Sequence, residues 1–402
     1  MLLIDAIFLV LIVISLYFTF LFVIAFYENR KKIGAIPKIK KLPSISILVP
    51  CHNEEDVIGG AIENLKALDY PKRLLEIIVV DDGSTDKTAE IAKRSGVRVL
   101  SKKKGGKASA LNYGLKFAKG EIVACVDADS YPENDTLLKS VPFFAEDKVA
   151  AVTTKILVKN NEKLLGRLQE IEYAMISWSR KILEFMESIY ATPGPLSFYK
   201  TSVIKKLGGF DEKNATEDIE IAWRLLDNGY KIRMSQSKTY TQAPSRFKAW
   251  WRQRVRWNIG GIQTALKYRT AMFKKGSENF GYFVVPFFSL SYAVSLIALG
   301  VFFYLLSASL INFVFFNLYM LLIGLTPMFD ISLDYLLNAF TFFGVVVFFL
   351  SVVMLRFGLA DVENKKAKDY LYYLVFLTFY IMIFPLVLID SLIKFAKGYN
   401  EW

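Results

Sequence analysis

The chain has 402 residues, 53% of them hydrophobic and 15% aromatic, with 33 Phe and 21 Tyr. Soluble domains run nearer about 45–50% apolar, so this composition argues against a purely cytosolic globular protein, and it excludes disorder because so much apolar surface can offset chain entropy. Fifty Lys and Arg against 38 Asp and Glu, a net charge of +12, point to anionic partners such as nucleic acid, lipid headgroups or a phosphorylated ligand.

From Leu2 to Phe26 the one charged residue is Asp5, and a run of that length suits a membrane-spanning helix of about 20 residues. It lacks the basic start and small-residue cleavage site of a signal peptide. Arg30, Lys31, Lys32, Lys38, Lys40 and Lys41 follow it, so the positive-inside rule puts the next residues in the cytoplasm and the N-terminus outside. Residues 1–27 therefore read as a transmembrane helix and 28–43 as a basic cytoplasmic linker.

Residues 44–248 have ordinary charge density and no segment able to span. Ser44–Pro50, Ile77–Val80, Val97–Leu100 and Ile122–Val126 predict buried parallel strands. Val57–Leu68, Thr85–Ser95 and Lys107–Lys119 between them have helical periodicity, with Ser84 or Thr85 available as an N-cap. Alternating strands and helices predict a parallel sheet covered by helices, with ligands beyond the carboxyl ends of the strands. Cys51 and Cys125 have no metal-ligand spacing, so neither a zinc site nor a disulfide framework is expected.

Residues 249–281 hold an amphipathic segment, and 282–402 read as a membrane region. Candidate spans are Phe283–Leu306, Leu310–Met328, Leu336–Leu359 and Leu371–Ile393; the second is short and suits a re-entrant segment. Four full crossings would place the loop with Arg356, Lys365, Lys366 and Lys368 outside, whereas its charge favours the cytoplasm.

Acidic residues collect at predicted strand ends. Asp81-Asp82-Gly83-Ser84 follows one strand, where it also suits a plain turn and helix cap. Asp127-Ala128-Asp129 follows another; two carboxylates one residue apart suit a hard divalent cation completed by phosphate oxygens and water, though a solvated acidic turn has the same composition. Lys102-Lys103-Lys104-Gly105-Gly106-Lys107 opens a predicted helix and suits an anion such as a diphosphate, or a solvated basic turn. It is not a Walker A loop, since Ser101 and Ala108 stand at the wrong places.

Thr216-Glu217-Asp218 precedes the amphipathic Ile219–Leu226, so its acids serve either as helix caps or as a general base for an acceptor hydroxyl. Trp250 to Trp257 packs three Trp and three Arg into eight residues. That composition fits an interfacial helix with aromatics at headgroup depth, and it also fits bidentate phosphate contacts and stacking on sugar rings. His52, the one histidine, has no nucleophile with a recognisable signature beside it, which disfavours hydrolase chemistry.

In order, Val49-Pro50-Cys51-His52-Asn53-Glu54-Glu55, Asp81-Asp82-Gly83-Ser84, Asp127-Ala128-Asp129, Thr216-Glu217-Asp218 and Gln253-Arg254-Val255-Arg256-Trp257 resemble the family 2 glycosyltransferases. The last two match the TED and QxxRW motifs of the membrane-embedded processive branch, which includes cellulose, chitin, hyaluronan and poly-N-acetylglucosamine synthases. The resemblance implies an α/β GT-A (Rossmann-like) cytosolic domain with a mixed, mostly parallel sheet, plus an α-helical transmembrane region. It implies a nucleotide-sugar donor, commonly UDP-linked, with Mg²⁺ or Mn²⁺. It places Pro50, Glu54 and Asp82 near the nucleoside, Asp127 and Asp129 near the diphosphate and metal, and Asp218 with Glu217 at the catalytic base. Lys107 is a further nucleotide contact, and Gln253 and Arg256 hold the diphosphate. Trp257 frames the acceptor end, and Thr192–Tyr199, with Gly194 and Pro195, matches the acceptor-side segment. One N-terminal span stands where several relatives have two or more, and Lys267–Phe280 lies where a mobile loop would.

The resulting expectation is an inverting, metal-dependent enzyme of the cell membrane, its catalytic domain cytoplasmic, extending a β-linked polysaccharide, with export through this chain left open. Transfer of one sugar to a lipid carrier is the alternative enzyme, and a channel or scaffold with a degenerate sugar-nucleotide site is the alternative outside catalysis. A nucleic-acid partner is not expected, because many basic residues flank membrane segments where anionic lipid attracts them.

Overall fold

The computed structural model describes residues 3–274, 279–326, 339–360 and 369–398. Eight strands form one sheet in the order β3-β2-β1-β4-β7-β6-β8-β5. β1 (Ile45–Cys51), β2 (Leu75–Asp81), β3 (Arg98–Ser101) and β4 (Ile122–Cys125) are parallel neighbours, as their apolar runs predict. The other half is mixed. β7 (Ser197–Lys200) lies antiparallel to β4 and to β6 (Val149–Val158), β6 pairs parallel with β8 (Lys231–Thr241), and β5 (Ser130–Pro132) closes the edge antiparallel to β8.

Both faces are covered, which is why the first strands are apolar on both sides. Ile45, Ile47 and Val49 of β1 pack with Ile58, Ile62 and Leu65 of α2 (Ile58–Lys66). Leu48 points the other way, to Leu111 and Leu115 of α4 (Lys107–Phe117). Each such side chain contributes about 1.5–3 kcal/mol on burial. The helix expected from Thr85 starts later: α3 spans Thr88–Arg94, and its N-cap, Lys87, makes no side-chain cap bond. Ser84 and Thr85 are used elsewhere. The Asn53 amide donates to Ser84 Oγ at 3.0 Å and the Thr85 amide to Asn53 Oδ1 at 2.8 Å, stitching the β1 and β2 loops together.

Three described helical stretches are long and apolar enough to cross a membrane: Leu3–Lys32, Phe280–Leu322 and Tyr370–Ala396. They contain α1 (Leu3–Asn29), α10 (Val285–Leu322) and α13 (Ile381–Ala396). The separation of Phe283–Leu306 from Leu310–Met328 is corrected, because both runs lie on one continuous helix as far as Leu322. No Gly or Pro falls between Leu306 and Leu310 to break it. α11 (Ala339–Gly358) answers to the Leu336–Leu359 run; residues 327–338 and 361–368 lie outside the described residues, with Lys365, Lys366 and Lys368 among them. Phe302, Phe303, Tyr304 and Phe315 on α10 are exposed, as lipid-facing side chains would be.

Candidate active site

Because β1, β2 and β4 are parallel and in register, Cys51 opposite Asp81 and Leu48 opposite Cys125, the chain segments that follow them leave the same sheet edge. That edge carries Glu54, Asp82, Asp127 and Asp129; Pro50 sits within β1 opposite Val80. Asp82 is buried and enclosed: Lys102 Nζ lies 2.6 Å from its carboxylate, the Gly105 amide donates at 3.0 Å and the Gly106 amide at 2.6 Å. The Gly-rich basic turn thus directs two of its N–H groups at a protein carboxylate. Its last residue reaches further, with Lys107 Nζ 2.5 Å from Asp127 and 3.3 Å from Glu217. Burial works against the Lys107 charge, but Asp127 and Glu217 outweigh it and raise its pKa.

The remaining edge carboxylates repel one another. Burial, then Asp127, pushes Asp129 up to about 6, and burial, then Asp129 and Asp127, pushes Glu54 up to about 7. Asp129 accepts hydrogen bonds from the hydroxyls of Ser130 and Thr241, each at 3.3 Å. Such a cluster is short of positive charge, which fits a divalent cation. Among the described residues no group of three or more His, Cys, Asp or Glu can hold a metal by itself. Asp127 and Asp129 thus fit a divalent cation that takes its other ligands from phosphate and water.

Glu217 and Asp218 open α8 (Glu217–Asp227). Thr216, the N-cap, makes no side-chain cap bond, and Asp218 Oδ1 accepts the adjacent Ile219 amide at 2.9 Å. Burial alone would raise Glu217, but Lys107 and Arg256 hold it below its ordinary value. Asp218 is raised, by burial first and Glu217 second. The two neighbours are thereby split into a fixed anion and a proton acceptor of higher pKa, the pattern of an acid–base site. Gly260 of α9 (Phe247–Lys267) lies directly against Thr216, where a Cβ would overlap the Thr216 hydroxyl, so α9 approaches the start of α8 closely. Gly194 does the same on another side, since a Cβ there would collide with Lys107 Nζ and Asp127.

α9 brings in Gln253, Arg256 and Trp257. Arg256 Nη1 donates to the Ala215 carbonyl at 3.2 Å, just before Thr216. Trp257 lies with its ring 4.1 Å from the Arg254 guanidinium. Arg254 forks to Glu172 of α6 (Leu164–Phe185) at 2.9 and 2.6 Å, and the Tyr380 hydroxyl donates to the same carboxylate at 2.7 Å. Trp250 is fully buried and donates to the Tyr380 hydroxyl at 2.7 Å, so this indole is a structural strut and no headgroup anchor.

A cavity of about 260 Å³ collects Lys107, Asp127, Asp129, Gly194, Pro195, Glu217, Asp218, Gln253, Arg256 and Trp257 in its walls; Pro50, Glu54 and Asp82 do not line it. Tyr173, Arg180 and Tyr190 also line it and escape the motif reading. The available signal is a polar stripe on α6, with Gln169, Tyr173, Ser177, Arg180 and Glu184 at three- to four-residue spacing, all buried.

Residues 46–208 match the family described as Glycosyl transferase family 2. Over 361 residues the chain is 32% identical to the probable glycosyltransferase YdaM of Bacillus subtilis, aligning 86% of this chain with 82% of that one. It is 34% identical over 266 residues to poly-beta-1,6-N-acetyl-D-glucosamine synthase of Staphylococcus aureus, covering 64% of this chain and 63%, less than two thirds, of that relative. Its architecture is similar to that of the mannosyltransferase PcManGT from Pyrobaculum calidifontis, solved with GDP-Man and Mn²⁺. There the TM-score is 0.61 over 99% of this chain and 100% of that one, at 18% identity, a likeness of GT-A fold.

Proposed function

The chain belongs to glycosyl transferase family 2, and from that premise we propose that it transfers sugar from a UDP-linked donor to the growing end of a β-linked polysaccharide at the membrane. The observation that carries this reading is the meeting, in one cavity, of Asp218 with the Lys107–Asp127 pair and the Gln253–Arg256–Trp257 face of α9. The staphylococcal relative, by name a synthase of a β-linked N-acetylglucosamine polymer, supports the acceptor class.

In the proposed reaction Asp218 takes the proton from an acceptor hydroxyl as its oxygen bonds to the anomeric carbon. The bond from that carbon to the phosphate oxygen breaks, and its electron pair leaves with the nucleoside diphosphate. Attack from the face opposite the leaving group inverts an α-linked donor to a β-linkage. Glu217 keeps Lys107 ionised beside the diphosphate, and Arg256 adds a second fixed positive charge where negative charge develops. A divalent cation held by Asp129 and Asp127, as Mg²⁺ or Mn²⁺, would supply further charge neutralisation on the diphosphate. Glu54, Asp82 and Pro50 serve the nucleoside end, while Trp257, Gly194 and Pro195 serve the acceptor end. The domain faces the cytoplasm, where sugar nucleotides are made, with the N-terminus outside and the apolar helices in the bilayer.

The test is a panel of nucleotide sugars offered to purified enzyme in lipid, reading nucleoside diphosphate release and product length together. Release coupled to long products supports the proposal; release with single-sugar products supports lipid-carrier transfer; no release from any donor overturns both and favours a binding-only scaffold.

A further inference from the structure

Helix α9 carries two stripes with a period of four. Phe247, Trp251, Val255 and Ile259 form an apolar one, and Lys248, Arg252 and Arg256 form a cationic one beside it. Both line a second cavity of about 830 Å³, to which α13 contributes Lys394. Four of its wall residues are basic and none is acidic, although like charges one helical turn apart repel. Lys394 is offset by Asp390 at 2.8 Å, and Arg256 directs one N–H at the Ala215 carbonyl. Among the described residues, the side chains of Lys248 and Arg252 have no hydrogen-bond or ion-pair partner. The cavity therefore holds a surplus of positive charge that suits an anionic ligand.

Its level in the bilayer identifies that ligand. From Tyr370 to Ile389 the chain carries no charge, a run of about 20 residues that spans about 30 Å of hydrocarbon as helix. Asp390 and Lys394 are the first charges after it, so they mark the water boundary on α13. Trp251 donates its indole N–H to Asp390 at 2.7 Å, which fixes α9 at the same boundary. Phe247, 53% exposed, extends the aromatic edge of the cavity. Aromatic rings and long cationic side chains at headgroup depth are the setting in which an anionic lipid phosphate is held. On the helix that supplies Lys394, exposed Leu386, Ile389 and Ile393 give acyl chains a surface to lie on. Gln253 and Arg256 wall both cavities, but Lys107, Asp127 and Asp218 line the first alone, so a ligand of the second stands outside the transfer chemistry.

We infer that the cavity between α9 and α13 binds one anionic phospholipid of the surrounding membrane, its phosphate held by Lys248 and Arg252 and its acyl chains in the bilayer along α13. The Arg252 guanidinium can fork to two phosphate oxygens, while Lys248 supplies a point charge. The site requires that the chain lie in a bilayer and does not depend on the transfer reaction. A lipid bound there clamps α9 to α13, and α9 is the helix whose Gln253 and Arg256 face the active site.

The experiment titrates the full chain in neutral detergent with phosphatidylglycerol, phosphatidylcholine or UDP and counts bound molecules by native mass spectrometry. One phosphatidylglycerol should bind about fivefold or more tighter than phosphatidylcholine. Lys248→Gln and Arg252→Gln should each weaken it about fivefold, and the double variant by more than either. A control pair, Lys40→Gln with Lys41→Gln, removes two cations from the linker after α1 and should leave the affinity within about twofold. Equal affinity for the two lipids, or unchanged affinity in the double variant, overturns the site. An equal loss in the control pair also overturns it, because attraction by overall charge would then suffice. UDP should bind without displacing the lipid; displacement one for one overturns the lipid as occupant and makes the cavity a nucleotide passage. If the double variant does not fold, Arg252→Gln alone decides, and undiminished affinity in it overturns the phosphate fork. Failure of every nucleotide sugar to release nucleoside diphosphate would sink the proposed transfer and leave this binding result standing.

Discussion

Thr192 holds the main chain of Asp218 from two directions, its amide donating to the Asp218 carbonyl at 3.1 Å and its hydroxyl at 2.8 Å. Tyr199 in turn donates to the Thr192 hydroxyl at 2.9 Å. The first residues of α8 are thereby tied to the segment that contains Gly194, so Asp218 and the Lys107–Asp127 pair are set by one loop. Asp218→Asn keeps the size and these backbone bonds while removing the proton acceptor. Transfer should fall by roughly 10²–10⁴ with donor affinity within about threefold of wild type by calorimetry. Activity within a factor of two would return Asp218 to a capping role.

The raised Asp218 carboxyl has a sign consequence for pH. In the proposed reaction its ionised form takes the proton, so kcat/KM should fall as pH is lowered, with a midpoint above the ordinary carboxylate value of about 4. Burial and the Glu217 charge are the causes, hence Glu217→Gln should move that midpoint down. A pH profile of both enzymes checks this, and an unshifted midpoint in Glu217→Gln would separate the two acids.

Chelation tests the strand-edge carboxylates. With EDTA, nucleoside diphosphate release should be lost and should return with Mg²⁺ or Mn²⁺. Asp129→Asn should raise the metal concentration needed by about tenfold or more, a range typical of lost metal-site partners. Full turnover in chelator would remove the metal from the proposal.

Gly194→Ala would drive a methyl group into Lys107 and Asp127. Since overpacking of a well-packed site costs typically about 1–3 kcal/mol of stability, the melting temperature should fall by a few degrees, and because Lys107 and Asp127 must move aside the donor KM should rise roughly tenfold. An unchanged KM would place the donor elsewhere.

Trp257 rests on Arg254, whose guanidinium lies 4.1 Å from its ring. Trp257→Ala should shorten products per folded molecule, while Arg254→Met should lower stability by about 3–5 kcal/mol by leaving Glu172 buried and unpaired. Product sizing and thermal melts on equally purified proteins distinguish these outcomes. Wild-type lengths from Trp257→Ala would favour single addition.

The parallel half of the sheet was legible because β1, β2 and β4 are buried on both faces and so read as unbroken apolar runs. The mixed half was not. β8 alternates only at its start, Lys231 to Met234, and runs polar from Ser235 to Thr239, and β7 is four residues long, too short to show a period. Asp127, Asp129 and Asp218 stood out because strand ends and a helix start punctuate the sequence beside them. Arg180 did not, since a charge inside a helix looks the same from sequence whether it meets water or a cavity; only packing of α6 between sheet and membrane helices decides. The Leu306–Leu310 boundary was misplaced because hydropathy measures length of apolar chain and carries no signal for a turn that does not occur.

The Trp250–Tyr380 hydrogen bond and the Tyr380–Glu172–Arg254 chain cross between α9 and the apolar stretch that leads into α13. The enzyme therefore has no clean line along which to be cut. A fragment ending after Lys267 would expose the Trp250 indole, strip the carboxylate of Glu172 of one donor and leave α9 without the surface it rests on. Attempts to obtain a water-soluble catalytic half by truncation should yield aggregate, and a detergent harsh enough to pull α13 away should silence the enzyme before the sheet melts.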